Sequence, residues 1–305
     1  MLINKHNLLL LFDENKAIFA ELNSKLDRIK MVIVIQCTDK VGLVATIASL
    51  LQGQDLNIVS MREHVDSIQN RFFARVEINK TVDAIVLEKQ LKGVLPLDAQ
   101  VIVNPNPLKK IVVLVTKEYH CLSDILIRNH FNTLGAQVLA VVGNHAVLED
   151  ICNRFNMPFH LVSHEGVTKE EFEEKLVAQV NKYTVDYVIL AKFMRILSPN
   201  FVQQYPLRII NIHHSFLPAF IGANPYKQAY QRGVKLIGAT AHFVTNNLDE
   251  GPIIAQQIIS VNHSFTTVDM VKAGKEIETS VLAHALQLVF TDKVLVYENK
   301  TVVFE

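Results

Sequence analysis

An asparagine and a histidine stand two positions apart, Asn211 and His213, at the end of the apolar run Ile209 to His213, and Asp249 follows in the segment NNLDEGP. In a strand, alternate residues leave the same face, so this spacing makes an amide and an imidazole converge. Hydrolysis of an amide asks for such a set. It needs donors for the developing oxyanion and a group that manages protons between water and the leaving nitrogen. Asn211 and His213 can supply the donors; Asp249 can move the protons or fix the histidine. The same residues also admit a structural reading, an Asn-x-His as a satisfied polar pair and an Asp before Glu-Gly-Pro as a turn former. Residue chemistry alone leaves both standing.

Two further groupings are weaker. Cys121 lies beside His120, but adjacent residues on a helix or strand point apart, so neither activates the other. His213, His214 and His242 offer imidazoles, yet no His-x-x-x-His or cysteine pair accompanies them, so no metal site is expected.

A sheet must bring these residues together. After Asn104 to Lys110 (NPNPLKK), whose two prolines mark a linker, apolar strands alternate with amphipathic helices. The expected strands are IVVLVT, Gln137–Val142, Phe159–Val162, Asp186–Ala191, Ile209–His213 and Gly238–Thr245. The expected helices are Leu122–Leu134, Val147–Phe155, Lys169–Lys182 and a long closing helix, Thr267–Phe290, with Val271, Ile277, Val281, Ala285 and Leu288 near one face. The alternation predicts an α/β, Rossmann-like domain with a mostly parallel sheet over 111–305, whose ligands bind at the strands' C-terminal ends. Before the linker, 31–103 has a ferredoxin-like βαββαβ rhythm: a helix with Val44, Ala48 and Leu51 inward, and a strand alternating Phe72, Ala74, Val76 and Ile78 against Phe73, Arg75 and Glu77. Residues 1–30 suggest a helical arm with Leu8, Leu11, Ile18, Leu22 and Leu26 on a patchy apolar face.

Composition narrows the function. The chain has 305 residues, half of them hydrophobic, with 30 Lys plus Arg against 30 Asp plus Glu. That is enough for two cores, and no net positive field favours nucleic acid. Cys37, Cys121 and Cys152 are odd in number and scattered, which points to a reducing, cytoplasmic setting. The run Leu8 to Phe12 is met at once by Asp13 and Glu14, and no run approaches the roughly 20 apolar residues of a membrane span, so no membrane partner is expected.

INIHHSFLP and ATAHFVTNNLDEGPIIAQQ resemble the folate-dependent formyltransferase family, through Asn211, His213, Ser215, Leu217, Pro218, Leu248, Asp249, Gly251 and Pro252. LAKFMRILSP, Leu190 to Pro199, is similar to the segment lining that family's folate pocket. The resemblance implies backbone groups around Arg195 to Leu197 on the pterin edge, with Met194, Ile196 and Leu197 as apolar walls. Transferases that formylate a nucleotide amine carry a glycine-rich turn after the first strand to hold phosphate. Thr116 to Leu126, TKEYHCLSDIL, has no glycine and resembles instead the deformylase branch, at His120, Cys121, Leu122 and Asp124. Asn224 and Asn246 depart from that branch, where arginine and aspartate are common.

CTDKVGLVATIASLL with DLNIVS resembles an ACT domain, a βαββαβ regulatory module. Together the resemblances imply a hydrolase that converts formyltetrahydrofolate to tetrahydrofolate and formate, feeding purine biosynthesis. Asn211, His213 and Asp249 would be catalytic, and His120, Met194, Arg195, Ile196, Leu197, Ser215 and His242 would contact substrate, with His242 as a hydrogen-bonding support. No cofactor or metal is implied. The ACT resemblance implies a homo-oligomer and an amino-acid effector, positioned at Asp39, Gly42 and Asn57, although Gly42 also suits a tight turn and Asn57 a cap. An amine-directed transferase and a non-catalytic amino-acid sensor are the competing readings.

Overall fold

The computed structural model describes residues 31–104, 108–218 and 225–305. The arm expected over 1–30, the linker's Pro105 and Pro107, and Gly222 and Asn224 lie outside the described residues. The chain divides into two compact units, between Pro107 and Leu108.

The first unit runs β1 (Met31–Thr38), α1 (Leu43–Gly53), β2 (Ile58–Asp66), β3 (Arg71–Ile78), α2 (Ala84–Val94) and β4 (Gln100–Asn104). Its sheet has the order β2-β3-β1-β4, with every neighbouring pair antiparallel. Helix α1 turns Leu43, Ile47 and Leu51 inward, an i, i+4, i+8 stripe that packs on Ile33, Ile35 and Val76. Of the expected inward positions Leu51 is buried and Ala48 half-buried, but Val44 is exposed, and Leu43 and Ile47 take its face. Asp83 caps α2, accepting from the amides of Ile85 and Val86. Strand β3 departs from simple alternation: Phe73 and Arg75 are buried along with Phe72, Ala74 and Val76, and Arg75 pairs with Glu77.

The second unit runs β5 (Lys109–Val115), α3 (His120–His130), β6 (Ala136–Gly143), α4 (Glu149–Arg154), β7 (Phe159–Leu161), α5 (Lys169–Val180), β8 (Tyr187–Leu190), α6 (Pro199–Gln204) and β9 (Ile209–His213). It continues through α7 (Pro225–Arg232), β10 (Leu236–Phe243), β11 (Ile253–Ser260), α8 (Thr267–Phe290) and a terminal hairpin, β12 (Val294–Tyr297) with β13 (Lys300–Val303). The sheet order is β11-β10-β9-β8-β5-β6-β7, parallel from β9 to β7, with β10 antiparallel to both of its neighbours. The expected α/β architecture is therefore present, with an antiparallel edge that brings the chain back after Asp249.

The apolar run of β5 follows from its central place. Ile111, Val113 and Val115 face a core shared with α3 and α8, while Val112 and Leu114 face a second core with α5 and α6. Pairing also begins earlier than the expected linker end, as Lys109 and Lys110 already lie opposite Ala136 and Gln137. In α8 the buried stripe is Met270, Gly274, Ile277, Glu278, Val281, Leu282 and Ala285. Val271, expected inward, is more than a third exposed, and a glutamate stands among the buried residues instead.

Candidate active site

Asn211 and His213 leave β9 near its C-terminal end, the edge where open α/β sheets hold ligands. Antiparallel pairing sets Asn211 opposite His242 and His213 opposite Thr240. Thr240 is fully buried, and its hydroxyl donates to the Ser215 carbonyl at 2.8 Å while accepting from the Leu217 amide at 3.0 Å and Gln256 Nε2 at 2.9 Å. One hydroxyl thus braces the chain leaving β9. Sequence reasoning singles out neither Thr240 nor Gln256, although both lie within the second of the two motifs.

Asp249 reaches the same place by a tight return. It adopts φ 57°, the left-handed region that Asp tolerates better than most residues. Gly251 follows where a Cβ would stand 1.8 Å from the Phe243 carbonyl oxygen, so no side chain fits there. The Phe243 amide then donates to Pro252 O at 2.9 Å, closing the turn between β10 and β11. Asp249 Oδ1 comes to 3.3 Å from His213 Nδ1 and 3.8 Å from His242 Nε2.

These contacts assign protons. His242 Nδ1–H donates to Phe243 O at 2.9 Å, which leaves Nε2 as the acceptor for the Asn211 amide N–H at 3.3 Å. Burial holds His242 below the ordinary histidine range, consistent with a neutral ring. The amide of Asn211 is therefore oriented with one N–H still free of His242. His213 offers Nδ1 to Asp249, and its Nε2 is buried without a hydrogen-bond partner. The hydrogen bond from His213, opposed by burial and helped by the neighbouring imidazoles, holds the Asp249 carboxyl below the usual carboxylate range. His214 stacks on His213, with ring centroids 4.8 Å apart and planes at 24°. Burial and the Lys192 ammonium push His214 down to about 4, so it is neutral at physiological pH.

A cavity of about 440 Å³ opens over these groups, large enough for part of a drug-sized ligand. Asn211, His213, His242 and Asp249 line one side; Met194, Arg195, Ile196 and Leu197 line another. Met194 and Ile196 are 58% and 62% exposed, apolar walls that gain by covering. Their loop is held from beneath: the Met194 amide donates to Thr116 Oγ1 at 2.9 Å, and the Ser198 amide to the buried Glu173 Oε1 at 2.8 Å. Ser198 also caps α6, accepting from Phe201 N at 3.4 Å, so the cap expected there is formed.

Two of the expected substrate contacts, Ser215 and His120, do not line this cavity. Ser215 is buried with its hydroxyl unpartnered and does not line the cavity. His120 is also off the cavity lining; its Nε2 donates at 2.8 Å to Glu278 Oε2, the oxygen that lies 3.2 Å from Lys192 Nζ. His120, Cys121 and Glu278 each offer a ligand atom within 4.8 Å of one another. Glu278, however, is already engaged by His120, Tyr226 and Lys192, and burial pushes the Cys121 thiol far up, so the group is a hydrogen-bond network and Cys121 an inert thiol. In the first unit, Gly42 caps α1 at φ 92° and Asp39 lies beside it, at the Thr38 end of β1. Asn57 lies at the opposite, Met31 end, where its amide donates to Asn79 Oδ1 at 3.0 Å. Within one chain these three residues do not share a site.

The fold and the donor–carboxylate set are those of an α/β enzyme with its site at the strand ends, and the family model described as formyl transferase matches residues 109–286. A formyltetrahydrofolate deformylase of Haemophilus influenzae is 48% identical over 274 residues, covering 90% of this chain and 99% of that one. The crystal structure of a formyltetrahydrofolate deformylase from Pseudomonas syringae pv. tomato superposes with a TM-score of 0.85 at 37% identity, covering 90% of this chain and 94% of that one. A glycinamide ribonucleotide transformylase from Symbiobacterium toebii reaches only 0.63 at 28% identity, over 66% of this chain and 96% of its own. The chain belongs to the formyltetrahydrofolate deformylase family.

Proposed function

We propose that this chain hydrolyses 10-formyltetrahydrofolate to tetrahydrofolate and formate, through the Asn211–His213–Asp249 set. The observation that carries the reading is the 3.3 Å contact of His213 Nδ1 with Asp249 Oδ1, beside a His213 Nε2 that is buried and unpartnered. The free N–H of Asn211, with His213 Nε2 as a second donor, stabilises charge on the formyl oxygen. Asp249 takes a proton from the attacking water and returns one to the leaving nitrogen, with His213 as its ion-pair partner. The walls at Met194, Ile196 and Leu197 suit the flat pterin, with Arg195 at the rim. The roles given to these side chains complete the reaction without a cofactor or metal. The test is formate release from 10-formyltetrahydrofolate with no amine acceptor present; turnover that appears only when an amine is added would replace hydrolysis by transfer.

The βαββαβ unit is proposed as an ACT-type module that pairs with a second copy and takes an amino-acid effector. Exposed apolar residues on its two edge strands, Val59 and Val65 on β2 and Ile102 on β4, support such pairing. With Asp39 and Gly42 at one end and Asn57 at the other, an effector touching all three has to bridge two copies. No helix among the described residues is long and apolar enough to cross a membrane, and Cys37, Cys121 and Cys152 are free and buried. The free thiols support the cytoplasm as the setting.

A further inference from the structure

Off the lining of the catalytic cavity, three elements converge on one carboxylate of a fourth. Glu278 of α8 is 1% exposed. Its Oε1 accepts from Tyr226 OH of α7 at 2.7 Å; its Oε2 accepts from His120 Nε2 of α3 at 2.8 Å and lies 3.2 Å from Lys192 Nζ, in the loop after β8. Gly274 makes room for this, since a Cβ there would stand 2.3 Å from the Tyr226 hydroxyl. Burial alone would raise the Glu278 carboxyl, but His120, Lys192 and Tyr226 together bring it down to about 2, so the charge is present.

The organising partner is Lys192. It is buried, adopts φ 59°, an uncommon conformation for a long side chain, and lines the catalytic cavity with Asn211, His213 and His214. A buried ammonium needs a buried carboxylate, and Glu278 supplies it. One carboxylate oxygen cannot take all three ammonium N–H donors, so the pair keeps a fixed cation with donor capacity on the cavity wall. Lys192 and His214 line the same cavity, and the ammonium adds to burial in holding down the ring stacked on His213.

Hydrolysis makes an anion where none was bound. The formyl carbon gains the water oxygen and loses its nitrogen; one water proton ends on that nitrogen, and the other leaves as the nascent formic acid ionises. The site must then hold and release a small carboxylate beside Asp249, which repels it. We infer that Lys192, held in place by Glu278, forms an anion subsite on the cavity wall that takes the formate left by hydrolysis. Glu278 is a positioning residue in this scheme: it cancels the buried charge of Lys192, and through His120 and Tyr226 it ties the subsite to α3 and α7.

The inference rests on the hydrolytic reading, and formate binding tests it without turnover. Sodium [13C]formate is titrated against the full chain and its line width followed, with acetate and chloride as controls. Product inhibition by formate is measured alongside. The wild type should bind formate in preference to chloride. Lys192→Met should raise the formate inhibition constant at least tenfold while the folate KM moves less than threefold; Lys192→Arg should keep most of the binding. Glu278→Gln should weaken formate as Lys192→Met does, and the double variant should be no worse than Lys192→Met alone. A formate constant unchanged in Lys192→Met, or a wild type that binds no formate, overturns the subsite even where formate release proceeds. Losses that multiply in the double variant overturn the positioning role of Glu278. Should Glu278→Gln fail to fold, the contrast of Lys192→Met with Lys192→Arg decides the matter. If formate binding depends on Lys192 but no formate is released, the hydrolytic reading fails and the subsite stands.

Discussion

Replacing Asp249 by asparagine keeps size and polarity but removes the charge and the ability to accept a proton. Two unit charges 3.3 Å apart, the separation of Asp249 Oδ1 and His213 Nδ1, attract by about 5 kcal/mol at an effective dielectric of about 20. Solvent at the carboxylate's exposed edge reduces this to about 3–4 kcal/mol, an attraction that holds Asp249 ionised and ready to accept a proton before the reaction. Loss of the general base costs roughly 10²–10⁴ in rate. Asp249→Asn should therefore lower kcat by at least about 10², with a far smaller change in KM. The pH dependence has a definite sign. The Asp249 carboxyl is held down by His213, so its ionised form, and the activity that needs it, is present above the ordinary carboxylate value and is lost as pH falls through the depressed one. The pair's contribution to stability follows the same course, so the Tm gap between wild type and variant should shrink on acidification. The acidic limb of kcat should vanish in the variant. Near-normal turnover, or lost binding with unchanged turnover of bound substrate, refutes the assignment and leaves Asp249 a turn residue.

Other perturbations separate the remaining roles. Asn211→Ala should lower kcat by roughly 10²–10³ with folate binding retained, and a drop below about tenfold would mean that the amide is not aimed at developing charge. Gly251→Ala, whose Cβ meets the Phe243 carbonyl at 1.8 Å, should lower Tm and kcat together by displacing Asp249; an unaltered Tm would show that the turn yields easily. Removing residues 1–105 should abolish any amino-acid response before it abolishes chemistry, and a folded 106–305 fragment that still answers every effector of the full chain would take the sensor role away from the first unit.

What can be read from the chain is set by periodicity and by motif density. Strands buried on both faces, such as β5, announce themselves as continuous apolar runs, and the Asn211–His213 spacing states a shared face that the sheet realises. The antiparallel return, β11, escapes sequence reading because AQQ interrupts its apolar pattern at an edge strand with half-exposed residues. The phase error at Val44 has a similar origin: VGLVATIASLL is apolar enough to offer two stripes, and only packing on Ile33 and Ile35 chooses between them. Motif similarity says which residues recur together and not which partners they face, so the contact of His120 with Glu278 could not be read from it. Asp39, Gly42 and Asn57 are grouped on the same ground, and antiparallel pairing puts them at opposite ends of a sheet.

The network around Glu278 is the least legible part, because its members come from residues 120, 192, 226 and 278 and no local pattern links them. One signal is nevertheless present. Glu278 falls four residues after Gly274 and four before Leu282, on the buried stripe of α8, and a glutamate in that register is costly unless it is paired. An acid on an apolar stripe therefore implies donors from other elements, and the nearest candidates are the basic and hydroxylic residues of motifs already suspected of chemistry. The two carboxylates differ in what they hold. Asp249 has an imidazole whose far nitrogen is unpartnered, so its charge is available to a reaction. Glu278 has three donors, and its charge is taken up in holding others in place. The same physical rule, that a desolvated charge must be answered, thus yields a reactive pair on the cavity and a fixed cation beside it.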